Sequence, residues 1–142
     1  MSTRDPFLSE SFAIERLLSE YQEHGRLIIA FDFDDTVYDY HRHGRTYDKV
    51  LELLRTCQRR DFILTLFTDM YGDKRDIALR YLEKVGITPD YINETPDFIP
   101  FGHAGKPYYN ILLDDRAGLA SAYRILTSVL AEIDAKAVTD EA

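Results

Sequence analysis

The sequence lacks the features of a disulfide-rich, membrane-spanning or nucleic-acid-binding protein. Its single cysteine, Cys57, excludes an internal disulfide and is interpreted as a core residue of a helix. No apolar run approaches the roughly 20 residues of a membrane-spanning helix, and the acidic, serine-containing start is unlike a signal peptide. Seventeen basic residues against 25 acidic ones give a net charge of −8, which argues against general nucleic-acid binding. We therefore expect a cytoplasmic protein that does not associate with membranes.

The composition that remains is typical of one folded domain. Hydrophobic residues make up 45% of the 142 positions and charged residues 30%, so the chain carries enough apolar surface for a core. We find no internal repeat and no linker, and residues 1–142 are predicted to form a single domain. Residues 1–26 are assigned to an N-terminal helical segment, and the small, acidic tail 134–142 is expected to fray.

Short apolar runs alternate along the chain with segments of helical periodicity. This alternation predicts an α/β domain with a doubly wound parallel sheet. The predicted strands are residues 27–33, 62–67, 91–93 and 110–113, and the predicted helices are residues 5–25, 46–60, 73–85 and 119–133. The residues expected to start or end helices are Ser9 (or the Asp5-Pro6 pair), Thr46, Asp73, Gly25 and Gly86. Ile77 is predicted on the inward face of the third helix.

The first predicted strand ends in an unusual concentration of acids. The apolar run 27–31 breaks into Asp32, Asp34 and Asp35 within four positions, and Thr36 follows. An apolar run bounded in this way is typical of a strand buried on both faces. In open α/β sheets ligands bind outside the carboxyl ends of the strands, which is where these acids are expected.

The segment that follows, residues 37–45, is polar, aromatic and basic, with Gly44 near a turn. We interpret it as a short flap or hairpin. It is either a solvated loop or a substrate-facing flap, since it follows the acids directly and carries local positive charge in an acidic protein. The candidate substrate-binding residues are Tyr38, His41, Arg42, His43, Arg45 and, after the second strand, Asp69.

Three predicted strands end in groups that suit a metal and a phosphate. Asp32 and Asp34 follow the first strand, Thr68 the second, and the Asp114-Asp115 pair the last. Because these ends share one edge of a parallel sheet, the carboxylates would repel one another unless some are protonated or a cation lies among them. Mg²⁺ is the ordinary oxygen-liking choice. The sequence offers no Cys/His cluster for zinc.

The string Asp32-Phe33-Asp34-Asp35-Thr36 resembles the D-x-D-x-T signature of the haloacid dehalogenase (HAD) superfamily. Thr68, Lys106 and Asp114-Asp115 follow in the order of that superfamily's other motifs, so the resemblance spans residues 27–116. The strings Ile92-Asn93-Glu94, Lys106-Pro107-Tyr108 and Leu113-Asp114-Asp115-Arg116-Ala117 are similar to those of small, capless HAD phosphatases of bacteria and phages.

This resemblance implies a capless, three-layer Rossmann-like fold and Mg²⁺-dependent hydrolysis of a phosphomonoester through an aspartyl-phosphate. It implies Asp32 as nucleophile, Asp34 as general acid and base, and Thr68 and Lys106 as phosphate ligands. The implied metal ligands are Asp32, the main-chain carbonyl of Asp34, Asp114 and Asp115. The aromatic and basic flap favours a nucleotide or another small phosphate ester as substrate.

Two positions depart from the family pattern. Asp35 replaces the glycine often found before the threonine, and we interpret it as a polar turn residue. Lys106 would lie roughly 25 Å from Asp114 if residues 106–114 were one extended strand. The flanking Gly105 and Pro107 favour a bent loop instead, and Lys74 or Arg75 would substitute if Lys106 proved remote.

Two other functions are compatible with parts of this pattern. A phospho-acceptor receiver domain also has an acidic pair after its first strand, a threonine at a strand end and a Lys-Pro pair, although Asp114 and Asp115 after Lys106 argue against it. A site without a cap would also be open to a polynucleotide end or a phosphoprotein. The oligomeric state is not predicted.

Overall fold

Four parallel strands form the centre of the protein. The structure is a computed structural model that describes residues 5–141, with side chains up to residue 138. The strands are β1 (Ile28–Asp32), β2 (Ile63–Phe67), β3 (Tyr91–Ile92) and β4 (Ile111–Leu113), in the order β3-β2-β1-β4. Asp32 lies opposite Phe67, and Phe31 lies opposite Leu113. The register therefore brings the carboxyl ends of β1, β2 and β4 to one edge of the sheet.

Four α-helices flank the sheet and confirm the predicted three-layer, Rossmann-like α/β fold. They are α1 (Glu10–His24), α2 (Asp48–Arg59), α3 (Gly72–Lys84) and α4 (Leu119–Glu141), and a 3₁₀ turn, Pro6–Leu8, precedes α1. Helix α1 packs against α4, α4 covers β4, and α2 covers β2. None of the helices in the described part of the chain is long and apolar enough to cross a membrane.

The predicted ends of α1 are confirmed, whereas the predicted starts of α2 and α3 are wrong. The Ser9 side chain accepts a hydrogen bond from the Phe12 N–H at 3.3 Å, and Gly25 ends the helix in the left-handed region with φ 79°. Tyr47 and Tyr71 occupy the N-cap positions of α2 and α3, and neither caps through its side chain. Thr46 therefore lies before α2, and Asp73 lies inside the first turn of α3, where its charge still favours the helix.

Two other expectations fail for reasons of packing. Ile77 is 62% exposed because α3 turns Ala78 and Leu82 toward the core instead. The segment 134–142, expected to fray, continues α4 as far as Glu141, and Asp134 forms an ion pair with Arg60 at the end of α2. Residues 1–4 of the predicted N-terminal segment and residue 142 of the predicted tail lie outside the described residues.

Asn110 joins the amino ends of the two strands that carry the acids. Its side-chain oxygen accepts a hydrogen bond from the Ile28 N–H at 2.6 Å, and its own main-chain N–H donates to the Ile28 carbonyl at 2.8 Å. The side-chain amide of Asn110 donates to the Glu20 carboxylate of α1 at 3.0 Å, and the main-chain carbonyl of Asn110 accepts from the Arg16 guanidinium at 3.2 Å. Asn110 is buried, so it sets the position of β4 beside β1 and α1.

We expect Asn110→Ala to lower the free energy of unfolding by about 1–3 kcal/mol, because the Ile28 N–H and the Glu20 carboxylate lose a partner. Urea unfolding followed by circular dichroism measures this change. Gln22→Ala, at an exposed position on α1, is the control and should change stability by less than about 0.5 kcal/mol. Equal stability of the two variants would contradict a structural role for Asn110.

Candidate functional site

Three carboxylates from β1 and β4 lie together at the carboxyl edge of the sheet. Asp32 is the last residue of β1, and Asp114 and Asp115 follow β4 directly. One oxygen of each lies within 4.8 Å of the others. The parallel pairing of β1 with β4 thus brings Asp32 together with Asp114 and Asp115, two predicted metal ligands that follow it by 82 and 83 positions in sequence.

Thr36 holds two of these acids in place, a role that we did not predict. It is fully buried, and its hydroxyl lies 3.3 Å from Oδ2 of Asp32 and 3.4 Å from Oδ1 of Asp115. The Asp115 N–H donates to the same hydroxyl at 3.0 Å. The one signal in the sequence was the position of this threonine in the D-x-D-x-T string.

Burial and nearby carboxylates raise the pKa of two acids at this edge, Asp32 and Asp34. Burial raises the pKa of Asp32 to about 7, and the adjacent carboxylates of Asp115 and Asp114 contribute to the rise. The pKa of Asp34 is also raised, first by burial and then by the negative charges of Asp69 and Asp35. Ionised carboxylates at these positions therefore need a compensating positive charge.

The donor set fits a hard divalent cation. Asp32, Asp114 and Asp115 offer only carboxylate oxygens, the ligands that Mg²⁺ prefers. The raised pKa of Asp32 has burial as its first cause and the neighbouring carboxylates as its second, and a bound cation would offset the charge of those carboxylates. The carboxylate of Asp34 is not part of this group; the ligand predicted from this residue is its main-chain carbonyl.

A cavity of about 470 Å³ opens above the three acids. The predicted site residues that line it are Asp32, Asp34, His41, Thr68, Asp69, Asp114 and Asp115. Four further residues of the lining were not predicted as site residues: Asp35, Tyr40, Phe67 and Arg116. Arg116 could have been predicted from the sequence, because it directly follows the Asp114-Asp115 pair and its positive charge would partly offset that of the acids.

Thr68 is positioned by Asn93, which follows β3. The Thr68 N–H donates to the Asn93 side-chain oxygen at 2.9 Å, and the Asn93 amide donates to the Thr68 carbonyl at 2.7 Å. The Thr68 hydroxyl accepts a hydrogen bond from the Met70 N–H at 3.0 Å. Its own hydrogen therefore remains available for a ligand in the cavity.

The segment after β1 is a folded loop and not a hairpin. Asp35 adopts a left-handed conformation with φ 60°, which explains why glycine suits this position, and its N–H donates to the Tyr38 carbonyl at 2.7 Å. The Asp35 carboxylate contacts Nδ1 of His41 and accepts from the His41 N–H at 3.3 Å. Although burial opposes its ionisation, these bonds hold the pKa of Asp35 below its usual value.

Several predicted site residues do not line this cavity. Arg42, His43 and Arg45 are exposed on the loop, and Lys106 is exposed in the segment that joins β3 to β4. That segment folds around the buried Thr95, whose hydroxyl accepts a hydrogen bond from the Tyr108 N–H at 2.9 Å. In this arrangement Lys106 does not line the cavity.

The two substitutes considered for Lys106 have different environments. The Arg75 side chain turns back to the segment before α3, where its Nε donates to the Met70 carbonyl at 3.0 Å. Lys74 lines a second cavity that adjoins the first and shares Asp34, Tyr40 and Asp69 with it. Arg116 thus lines the first cavity and Lys74 the second, and each brings a positive charge to its cavity.

The second cavity has a volume of about 450 Å³ and is mainly aromatic and aliphatic. The Tyr38 ring stacks on Phe33 with centroids 5.2 Å apart, and the Tyr81 ring meets Tyr38 edge-on at 5.1 Å. The Tyr81 hydroxyl donates to the Val37 carbonyl at 2.8 Å, which keeps this group in place. The exposed Ile77 completes one wall. Tyr38, predicted as a substrate ligand, therefore belongs to this cavity.

Comparison with known proteins supports the fold but does not identify a function. No protein-family model matches the chain, and no curated protein matches it. A solved structure described as a conserved protein coded by a locus from Bacteroides thetaiotaomicron is similar, with a TM-score of 0.58 and 23% sequence identity. The match covers 72% of this chain and 91% of that one.

The raised pKa of Asp32 leads to a prediction about the metal-free protein. The folded state keeps a proton on Asp32 up to about pH 7, whereas the unfolded chain releases it near pH 4. The contribution of Asp32 to the free energy of unfolding therefore falls as pH rises between these values. Thermal unfolding in EDTA should show Asp32→Asn to be more stable than the wild type at pH 7.5, by about 1 kcal/mol after allowance for solvent screening.

The difference between the two proteins should disappear at pH 4, where both carry an uncharged group at position 32. Adding MgCl₂ at pH 7.5 should raise the melting temperature of the wild type more than that of the variant. Asp97→Asn, at an exposed site, should follow the wild type at every pH. A variant that is less stable than the wild type in EDTA would contradict the repulsion described above.

Proposed function

We propose that this protein is a Mg²⁺-dependent phosphohydrolase that forms an aspartyl-phosphate. The observation that carries the proposal is the group of Asp32, Asp114 and Asp115 beside Thr68 in one cavity. The order of the D-x-D-x-T string, Thr68 and Asp114-Asp115 resembles that of HAD phosphatases, and the parallel sheet with acids at its carboxyl edge agrees with this resemblance. The cytoplasm is the compartment that we propose.

Asp32 is the proposed nucleophile. Its carboxylate oxygen forms a bond to phosphorus as the bond between phosphorus and the ester oxygen breaks. Asp32, Asp114 and Asp115 would hold Mg²⁺, which when bound supplies positive charge to the phosphoryl oxygens. Thr36 keeps the Asp32 carboxylate oriented through its buried hydroxyl.

Asp34 is the proposed proton donor and acceptor. Burial and the charges of Asp69 and Asp35 raise its pKa, so a proton is retained more readily there than on an ordinary aspartate. Asp34 gives this proton to the leaving oxygen in the first step. In the second step it takes a proton from water as the water oxygen attacks phosphorus, which releases inorganic phosphate and restores Asp32.

Thr68 and Arg116 are the proposed contacts for the phosphoryl oxygens. The Thr68 hydroxyl retains a hydrogen to donate, because the Met70 N–H already occupies it as an acceptor. The Arg116 side chain lines the cavity and brings positive charge. The Lys106 side chain is exposed and does not line the cavity. For Lys106 to contact the phosphate as predicted, the segment between β3 and β4 would have to move.

We propose a phosphomonoester with an aromatic or nucleobase-sized group as substrate. The aromatic cavity around Tyr38 and Tyr81 adjoins the acid cavity and shares Asp34 and Asp69 with it. Its volume of about 450 Å³ is within the range for small ligands. A ring stacked against Tyr38 would therefore place an attached phosphate toward Asp32.

A receiver-like phospho-acceptor domain is the alternative from another functional class, and the open site also leaves a polynucleotide or protein phosphatase as a variant of the enzyme hypothesis. A receiver would keep its aspartyl-phosphate, whereas the proposed enzyme hydrolyses it. Acids at Asp114 and Asp115 and a raised pKa at Asp34 favour hydrolysis.

We expect the protein to hydrolyse p-nitrophenyl phosphate in the presence of MgCl₂ and to lose this activity in EDTA. Asp32→Asn should lower kcat at least 1000-fold because the nucleophile is removed, and Asp34→Asn should lower it about 100-fold or more because no proton reaches the leaving group. Asp97→Asn should retain full activity. Stable labelling by acetyl phosphate without turnover would favour the receiver instead.

The aromatic cavity leads to a separate prediction about specificity. Nucleoside monophosphates should be hydrolysed with a lower KM than ribose 5-phosphate or glycerol phosphate, which lack a ring to stack. Tyr38→Ala should raise the KM for the nucleotide about 10-fold and leave that for glycerol phosphate unchanged. Exposed Tyr71, outside this cavity, offers Tyr71→Ala as the matched control. Activity confined to a 3′-phosphorylated oligonucleotide or a phosphoprotein would contradict this substrate class.

A further inference from the structure

We propose that Asp35, His41 and His43 form a second metal site, selective for zinc-like transition metals. One ligand atom of each lies within 4.8 Å of the others, a grouping separate from that of Asp32, Asp114 and Asp115. Two imidazoles and one carboxylate form a donor set that suits zinc and its neighbours, whereas Mg²⁺ prefers oxygen ligands. Three protein ligands leave at least one coordination position open.

The sequence alone suggested no zinc cluster, because two histidines in an exposed loop are unremarkable by themselves. The missing element was the carboxylate of Asp35, which the left-handed turn at φ 60° brings back to His41. The rings of His41 and His43 lie with centroids 5.9 Å apart. The loop therefore brings together three donors spread over nine positions in sequence.

Main-chain contacts of the loop hold the donors near one another. The Asp39 carboxylate accepts hydrogen bonds from the N–H groups of His43 at 2.8 Å and Gly44 at 2.9 Å. The Asp35 carboxylate accepts from the His41 N–H at 3.3 Å, and the Tyr40 ring packs edge-on against the His41 ring at 4.9 Å. The hydrogen bonds hold the backbone of both histidines and of Gly44 in place, as supporting contacts do in metal sites.

The location of the triad gives the metal a consequence for the acid cavity. Asp35 and His41 line that cavity, so a cation bound to them would add positive charge beside Asp34 and Thr68. The exposed Lys106 does not supply that charge from its observed position. The metal site itself does not depend on the proposed hydrolysis, because it follows from the ligand geometry alone.

The test is a titration of the whole protein with Zn²⁺ by calorimetry and with Co²⁺ by visible absorption, each in excess MgCl₂ so that the acid group is occupied. We expect one zinc-like ion per chain. His41→Gln and His43→Gln should each weaken binding at least 10-fold, and His24→Gln, at an exposed site on α1, should not. Circular dichroism melting of each variant excludes loss of fold as the cause.

The proposal would be overturned by three results: no binding to the wild type, equal binding to the wild type and His43→Gln, or loss of binding in Asp114→Asn with retention in His43→Gln. The last result would assign the ion to the acid group. Hydrolysis of p-nitrophenyl phosphate with MgCl₂ alone, measured on the same samples, tests the proposed function separately. A protein that hydrolyses the ester but binds no Zn²⁺ would therefore refute only this second site.

Discussion

Repulsion among carboxylates at the carboxyl edge of the sheet is the constraint on which the site depends. Parallel pairing of β1 with β4 brings Asp32 within reach of Asp114 and Asp115, and burial makes each additional charge more costly. Two features of the site reduce this repulsion. Asp32 binds a proton more tightly than usual, with a pKa of about 7, and the buried Thr36 hydroxyl lies between Asp32 and Asp115.

The opposite edge of the sheet supplies the support for this crowding. Asn110 joins the starts of β1 and β4 through hydrogen bonds in both directions with Ile28. Because β4 has only three residues, its ladder with β1 is short, and a shift of one residue would move Asp114 away from Asp32 and turn its side chain to the other face. The hydrogen bonds of Asn110 at one end and Thr36 at the other therefore fix the register on which the acid group depends.

The sequence predicted the parts of this structure that depend on local patterns. Apolar runs located all four strands, and the parallel topology then placed Asp32, Thr68 and Asp114 at one edge. It did not predict features that arise from tertiary packing. Ile77 follows the helical period but faces solvent because Ala78 and Leu82 face the core, and the position of Lys106 depends on how the segment after β3 folds around Thr95.

The charge balance of the cavity implies that the proposed metal binding and phosphate binding would depend on each other. Asp32, Asp34, Asp35, Asp69, Asp114 and Asp115 line the cavity, whereas Arg116 and His41 are the basic side chains among its lining residues. A phosphate ester entering such a cavity meets a strongly negative potential, and this potential opposes its binding. A divalent cation on Asp32, Asp114 and Asp115 would reverse much of that potential. By linkage the bound phosphate must then raise the affinity for the cation by the same factor, so the acid group and the proposed substrate site are parts of a single binding equilibrium.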